Sequence, residues 1–590
     1  MAEFSKLVIT NKGQALLAKM IAGSGNIEFT KISTSSTTYT DAQLEGLASL
    51  SNVKQTSLIS KVTRTNEVAI KVEAAFTNTE LTAGYYMKAL GLYAVDPDVG
   101  EILYAVTRET SGNCYMPAYN GITVSGAYVQ LVTTVGNAEN VSLEVDQAAV
   151  ATIGDIQDLQ KQIADLEAFI GYTADDIYGV EVDFINKKFT RLAGAVNRTP
   201  GEGFDSIECF GGRKRCNVAD DGTVTAYYGD SGYTTTGKVA AGAMVQVMVE
   251  QPKFYYKVVP MVLEKGAKGM KIRKARYYVS NTAKAGFKLH PAFIENGKEN
   301  EKIYLAAFEG SLWDASASAY ILDDAQVASF TAAVGTGDML SSIANAKPMS
   351  GLTQNLTRKN TRILAENRGS GWEQAYAATI SASQLLMLIE YASFDMQKAI
   401  GNGVTNKTDD SSTSMTEITG ATVNLGNASG SVTNANGYNI VSYRGEENIW
   451  GNIWAWIDGM NEENPATFAA GDVGTLYVAD HDFVDDSKES PYKNTGIHPD
   501  YGNGYISAFG YSEEFDWLFI PAEHTGNSSL PVGDYFWNSN SGWRVAGLGG
   551  RWYYGAIAGA FCWYLHGAAS TRDRDVGGRL VYVPSKKEAA

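Results

Sequence analysis

A chain of 590 residues has room for several domains at roughly 150 residues each, so no single core accounts for it. Its 60 glycines exceed and its 13 prolines fall short of average shares of ~7% and ~5%, which excludes collagen-like repeats and proline-rich disorder. With 48 Lys and Arg against 65 Asp and Glu, the formal charge of −17 makes a nucleic-acid partner, which needs a basic face, a poor fit.

The cysteines, Cys114, Cys209, Cys216 and Cys562, are too scattered for a secreted disulfide scaffold and point to free thiols made in a reducing cytoplasm. The opening MAEFSKLVITNKGQALLAKM lacks the apolar core of a signal peptide. Trp552 to Leu565 is rich in aromatics, but at ~1.5 Å per residue it is too short to cross ~30 Å of hydrocarbon, so no membrane insertion is expected.

Residues 1–145 read as an antiparallel α+β head. EVAIKVEAAFT, ALGLYAVDPDVGEILYAVT and AYVQLVTTV are β-branched runs broken by turn residues, the pattern of hairpins. Leu16, Leu17, Met20 and Ile21 share one face of a helix predicted over Asn11 to Ala22. Residues 146–176 hold a short coiled coil, in which Ile156, Leu159, Ile163, Leu166 and Ile170 alternate by three and four along one a/d seam. A lone amphipathic helix packed on its own domain would give the same short pattern. Ile at a with Leu at d leans toward two strands, whereas so short a seam can follow the symmetry of its neighbours, leaving dimer and trimer open.

Residues 177–250 read as a small β-rich connector domain, with VEVDFINKKFTRL, an Asp221-Gly222 hairpin turn and the buried strand AMVQVMVE. Residues 251–590 form a loop-rich, aromatic C-terminal domain. Two helices are read there from GWEQAYAATI and SASQLLMLIEYASFDMQKAI, and Gly403 to Asn439 reads as a linker or an ordered surface loop. The fold class is α+β, multidomain.

Chemical motifs are weak. Gly229-Asp230-Ser231-Gly232 copies the nucleophile segment of trypsin-like proteases, but every histidine, at 290, 481, 498, 524 and 566, follows it, the reverse of the order in that family; it reads as a turn. No histidine pair has helical spacing and no C-x-x-C occurs, so no metal site is expected. Asp96, Asp98 and Glu101 lack a calcium-loop pattern and read as a hairpin turn. The acidic pairs Glu513-Glu514 and Asp482 with Asp485-Asp486 could serve glycoside hydrolysis only if the fold opposed them across a sugar. Gly547, Gly549 and Gly550 lack the strand-to-helix context of a phosphate loop. No cofactor and no enzyme activity are expected. What remains is Trp537 to Val583, where large aromatics alternate with small residues and end in Arg-Asp-Arg-Asp, the composition of a paratope.

KLVITNKGQALLAKMIAG and the ~130 residues after it resemble the tail-collar or tail-fibre head of contractile bacteriophages and phage-like particles. YRGEENIWGNIWAWIDGMN, GWRVAGLGG and DVGGRLVYVP resemble variable proteins of diversity-generating retroelements, which carry a C-type lectin fold related to formylglycine-generating enzymes. The first resemblance implies attachment to a baseplate or tail protein. The second implies a receptor-binding domain with a variable region at about 536–583, in which randomised adenines turn AAC or AAT codons into Tyr, Ile, Cys, His, Thr, Asp, Gly or Ala. Candidate variable, ligand-binding positions are then Tyr553, Tyr554, Ile557, Cys562, Tyr564, His566, Gly567, Thr571, Asp573 and Asp575, with Trp543, Trp552, Trp563 and Gly577-Gly578-Arg579-Leu580 as framework.

Two departures restrict the transfer. Glu463-Asn464-Pro465 and Trp537-Asn538-Ser539 stand where calcium-dependent sugar lectins use Glu-Pro-Asn and Trp-Asn-Asp, and Cys562 lacks the partner a formylglycine-generating enzyme needs. The expected function is a homotrimeric tail-fibre adhesin of the virion, made in the bacterial host cytoplasm, that binds a bacterial cell-surface receptor, protein or glycan. The alternatives are a surface-polysaccharide depolymerase or other enzyme on the same fold, and a purely structural fibre.

Overall fold

The computed structural model describes residues 4–23, 27–64, 69–112, 114–119, 126–134, 145–146, 162–163, 165–238, 244–266, 268–323, 331–351, 356–408 and 415–584. The chain divides into two compact units, Met1–Gln160 and Lys161–Ala590. Both are built mainly of β-strands.

The described residues of the first unit contain two larger antiparallel sheets and the two-stranded pair Tyr85–Tyr86 with Tyr115–Met116. Of the larger sheets, one runs Val8–Ile9, Gly100–Arg108, Ala89–Asp96, Phe29–Ser35, Val53–Leu58; the other Val145–Asp146, Gly126–Thr134, Ala69–Thr77, Lys61–Arg64. The hairpin expected at Asp-Pro-Asp is present: Ala89–Asp96 pairs with Gly100–Arg108, and Asp96 in the turn accepts from Lys19 Nζ at 2.6 Å and from the Asp98 amide at 3.0 Å. Helix Asn11–Gly23 follows Thr10, whose hydroxyl oxygen accepts from the Gly13 amide at 3.1 Å. Gly13 allows the helix to lie directly on strand Gly100–Arg108, since a Cβ there would come within 2.1 Å of the Tyr104 carbonyl oxygen. Leu16 is buried, whereas Ile21 is exposed, so the buried stripe is narrower than the sequence pattern implied.

In the second unit, residues 162–163 and 165–170 are helical, and Ile163, Leu166 and Ile170 of the expected seam are 49%, 58% and 69% exposed. Ile156 and Leu159 lie outside the described residues. A boundary at residue 250 does not divide the sheets. Ile177–Asp183 pairs with both Lys188–Ala193 and Met270–Ser280, and Val245–Pro252 pairs with Lys302–Ala306, which continues to Leu580–Tyr582. The expected connector is thus woven into the C-terminal half by antiparallel pairing, as of Ile177 with Ser280 and Met248 with Ala306. The Asp221-Gly222 turn does join Lys214–Ala219 to Val224–Tyr227, with Gly222 at φ +84°.

At the centre lies helix Ala377–Tyr391, buried from Ala377 through Glu390. It packs on Ile177–Asp183 and Met270–Ser280 from one sheet and on Trp454–Asn464 from another. A helix apolar on every side belongs inside a core. The sequence reading split this region differently: Trp372–Gln374 is a strand, one helix covers Ala377–Tyr391, and Arg358–Glu366 is a helix it missed. Between Gly403 and Asn439 the described residues include strand Gly430–Thr433, which pairs with Asn439–Tyr443.

Candidate functional site

The site is one side of the largest sheet, whose path runs Lys493–Asn494, Thr475–Val478, Trp454–Asn464, Gly542–Leu548, Trp563–Gly567, Tyr535–Asn538, Gly502–Tyr505. Side chains alternate across a strand. Along Tyr535–Asn538 and Trp563–Gly567 the buried positions are Phe536, Asn538, Trp563, Leu565 and Gly567, and the half-buried ones are Tyr535, Trp537, Tyr564 and His566. Parallel pairing sets Trp537 beside Tyr564, and antiparallel pairing sets Asn503 and Tyr505 beside Trp537 and Tyr535. Residues sharing a register position share a face.

The outward aromatics make a continuous ladder. Ring centroids lie 5.1 Å apart for Tyr505 and Tyr535, 4.6 Å for Tyr535 and Trp537, and 4.9 Å for Trp537 and Tyr554, the last pair stacked at 28°. Trp454 lies beneath, 5.6 Å from Trp537 and 5.4 Å from Tyr564, and Tyr564 is 5.8 Å from His566. Arg551 completes one end, its guanidinium over the rings of Tyr553 at 4.4 Å and Tyr554 at 4.5 Å. A cation over two ring faces fixes both rings.

Polar groups rim the ladder. Ser539 Oγ and His566 Nδ1 lie 3.2 Å apart, and Asn540 Nδ2 donates to the His566 carbonyl at 2.9 Å. Burial, then the nearby Arg544, holds the His566 imidazole below its usual pKa, so it is neutral at pH 7. Burial raises the Tyr554 and Tyr564 hydroxyls, which therefore stay protonated donors. One layer in, Asn538 Nδ2 donates to Glu462 Oε1 at 2.8 Å and Asn464 Nδ2 to Asn538 Oδ1 at 3.0 Å, which pins the strand that carries Trp537. Burial pushes the Glu462 carboxyl up to about 8.

Comparison with known proteins gives little beyond this. No family model matches the chain, and no curated protein matches it. Among solved structures it is similar to the "Major Tropism Determinant M1 Variant" and the "Major Tropism Determinant I1 Variant". Identity is 13% and the TM-score 0.21 in both cases, covering 63% of this chain and 71% and 72% of theirs respectively.

The ten expected variable positions separate by burial. Tyr554, Tyr564 and His566 belong to the ladder, Tyr553 and Ile557 are half-buried beside it, Thr571 is half-buried, and Asp573 is exposed. Cys562 and Gly567 are buried, so neither presents a side chain to a ligand. Asp575 is 2% exposed and ion-paired to Arg551, so it positions the Arg551 clamp from below. Of the expected framework, Trp552, Trp563 and Arg579 are buried, but Trp543 is half-buried against Tyr477 at 6.1 Å. Trp537 and Arg551 fall within the stretch of paratope composition without being singled out, and Tyr505, Tyr535 and Trp454 lie outside it altogether. The alternation Tyr-Phe-Trp-Asn at 535–538 was the available signal, since Tyr and Trp carry a polar tip that Phe lacks.

In the acidic pairs, Asp485 is bound by Arg358 and Arg362 at 2.7 and 2.8 Å, and Glu514 pairs with Lys493 at 2.8 Å. Asp230 of the Gly-Asp-Ser-Gly segment accepts the Tyr227 amide at 2.8 Å in a turn. Among the described residues no group of three or more His, Cys, Asp or Glu side chains is placed to hold a metal ion, and no helix is long and apolar enough to cross a membrane.

Proposed function

We propose that this chain is a receptor-binding adhesin of a phage or phage-like tail fibre, and that the aromatic ladder is its receptor face. The observation that carries the reading is the ladder itself: a neutral row of half-buried Tyr, Trp and His rings on the outside of a sheet, with Ser and Asn at its rim. Rigid amphipathic rings give contact area at low entropic cost, and small polar residues give adaptable hydrogen bonds. Within that reading, Tyr553, Tyr554, Ile557, Tyr564, His566, Thr571 and Asp573 are the positions open to diversification. Trp454, Trp537 and Trp552 are fixed supports, because no AAC or AAT codon mutated at adenine yields Trp. Residues 1–145 attach the fibre to its tail.

The chain acts as a homotrimer assembled through the exposed apolar row Ile163, Leu166 and Ile170. Several identical faces on one particle turn weak single contacts into avidity. Purified protein incubated with host envelope polysaccharide tests adhesion against cleavage: retention without release of fragments supports binding, and liberated oligosaccharide overturns it. A near-repeat of the codons for 540–580 beside a reverse-transcriptase frame tests diversification, and sedimentation equilibrium at micromolar concentration tests the trimer.

A further inference from the structure

The ladder leaves unused a cavity of about 750 Å³ elsewhere in the C-terminal unit, within the ~300–1,000 Å³ of a small-molecule site. Its lining includes Tyr391 at the end of the buried helix, Ser393, Asp395 and Lys398 just after it, and Leu530. Lys187 joins them from the turn between strands Ile177–Asp183 and Lys188–Ala193.

The fold holds Lys187 in a costly conformation. Asp183 pins the turn, its carboxylate accepting from the Asn186 amide at 2.8 Å and from Asn186 Nδ2 at 3.0 Å, and the turn closes with Lys187 at φ +53°. That left-handed position suits Gly or Asn, whereas the Cβ of a lysine crowds the backbone there. Lys187 is exposed, and among the described residues its ammonium has no hydrogen-bond or ion-pair partner. Backbone strain spent on a side chain that bonds nothing within the fold points to a use outside it.

The other polar groups set the charge of the ligand. Among the described residues the charged ones lining the cavity are Lys187, Lys398 and Asp395, two positive and one negative, which leaves one positive charge unanswered. The carboxylate is already engaged. The Asp395 side chain, 9% exposed, accepts from the Lys398 amide at 3.1 Å and from Lys398 Nζ at 2.7 Å, while the Lys398 side chain is 67% exposed. Ser393 Oγ accepts from the Asp395 amide at 3.0 Å, and its own proton has no acceptor among the described residues. A cationic ligand would find no free carboxylate, and a dianion would bring more charge than the lining offsets. Glu202 and Asp205 line a different cavity. The half-buried Tyr391 ring and Leu530, 40% exposed, supply an apolar wall.

We propose that this cavity binds a small organic monoanion, a single carboxylate on an uncharged body. Lys187 and Lys398 hold the carboxylate, Ser393 donates its proton to it, and the body lies against Tyr391 and Leu530. An acidic sugar unit and a free carboxylic acid share that chemistry. The inference goes beyond the receptor reading, since none of these residues belongs to the ladder and either site can fail alone.

The test is saturation-transfer NMR on the full chain at fixed ionic strength. The probes are glucuronate and cyclohexanecarboxylate as monoanions, glucose as the neutral counterpart of the first, and inorganic phosphate as competitor. At least one carboxylate should bind at millimolar concentration, and the stronger of the two tells an acidic sugar from a free acid. Exposed ammoniums are screened by water and salt, so binding should weaken only about threefold to fivefold in Lys187→Asn or Lys398→Gln, and persist in Tyr554→Ser. Lys187→Asn should melt no lower than the parent, because Asn accepts the left-handed position. Silence of both carboxylates, glucose binding as well as glucuronate, or phosphate preferred to both carboxylates overturns the proposal. So does a carboxylate signal unchanged in Lys187→Asn, or early melting of that variant, which would give Lys187 a structural role. Loss of host adsorption alone bears on the receptor reading only.

Discussion

Strand Trp563–Gly567 has two sides that use aromatic residues for opposite ends. Inward, Trp563 joins a core in which Phe184, Phe394, Phe509, Phe519 and Phe561 interlock, Phe394 lying 4.9 Å from Phe561 and 5.1 Å from Phe509. Outward, Tyr564 and His566 continue a ladder of Tyr and Trp. Phenylalanine has no polar tip to satisfy and goes where water is excluded; tyrosine and tryptophan suit a surface that is half wet. A one-residue slip of this strand would exchange the two sides, so its register carries both the fold and the face.

The comparison breaks first on the inner side. Trp563, 1% exposed, donates from Nε1 to the Phe519 carbonyl at 2.8 Å. Trp563→Ala opens a cavity and orphans that carbonyl, an expected loss of about 3–5 kcal/mol. Melting should fall well before any binding defect separable from unfolding. A Trp563→Ala protein that melts normally would show that inside and outside have been exchanged.

Nearly as large is the effect of cutting the buried ion network behind strand Trp454–Asn464. Asp458 binds Arg362 at 2.5 and 2.7 Å, while Arg358 donates to Asp485 at 2.7 Å and to Asn461 Oδ1 at 2.6 Å. Asp458→Asn leaves two buried guanidiniums sharing one carboxylate and should cost about 3–5 kcal/mol. Urea denaturation measures it, and a change under 1 kcal/mol would deny this network a structural role.

Much of this was legible as local pattern. The hairpins of the first unit, the Asp221-Gly222 turn and the two-residue alternation at 535–538 are written in adjacent residues. Pairing between distant strands was not: nothing near Leu305 signals that it lies beside Val581. Helix Ala377–Tyr391 was legible as helical, but divided between two helices, because burial on all sides removes the polar face that marks where the helical period begins and ends. Cys562 shows the limit most clearly. It has the same parity as Tyr564 and His566 and so belongs to the outer side, yet it is buried in a cluster with Trp454 and Trp456 that Trp537, Tyr554 and Tyr564 cover. Residue type and alternation choose a side of the sheet, but only packing tells which residue is the top layer.

Glu462 sharpens the comparison through pH. Its carboxyl, raised by burial from 4.5 to about 8, binds a proton more tightly when folded. Its contribution is therefore fully present below the unfolded value near 4.5 and is lost as pH rises through about 8. Glu309, also raised to about 8 by burial and bonded to Asn452 at 2.8 Å, acts in the same direction. Melting temperature should fall across that window, Glu462→Gln should flatten part of the slope, and Glu462→Gln with Glu309→Gln more of it. An unchanged slope in the double variant would place the titration elsewhere.

The smallest expected effect on stability falls on the outer side and is the most informative for function. Tyr535 contacts Tyr505 at 5.1 Å and Trp537 at 4.6 Å, and His566 contacts Tyr564 at 5.8 Å and Ser539 at 3.2 Å. Tyr535→Ser or His566→Ser removes aromatic contacts worth about 0.5–1.5 kcal/mol and leaves the inner Phe cluster untouched. Thermal unfolding should stay close to that of the parent. Under the proposed function, adsorption to host cells should drop by much more than a single-site loss implies, because a weakened contact would count at every copy of the face on a particle. Adsorption that survives both substitutions with melting unchanged would move the receptor site off the ladder, and early melting of these variants would mean that the ladder is core rather than face.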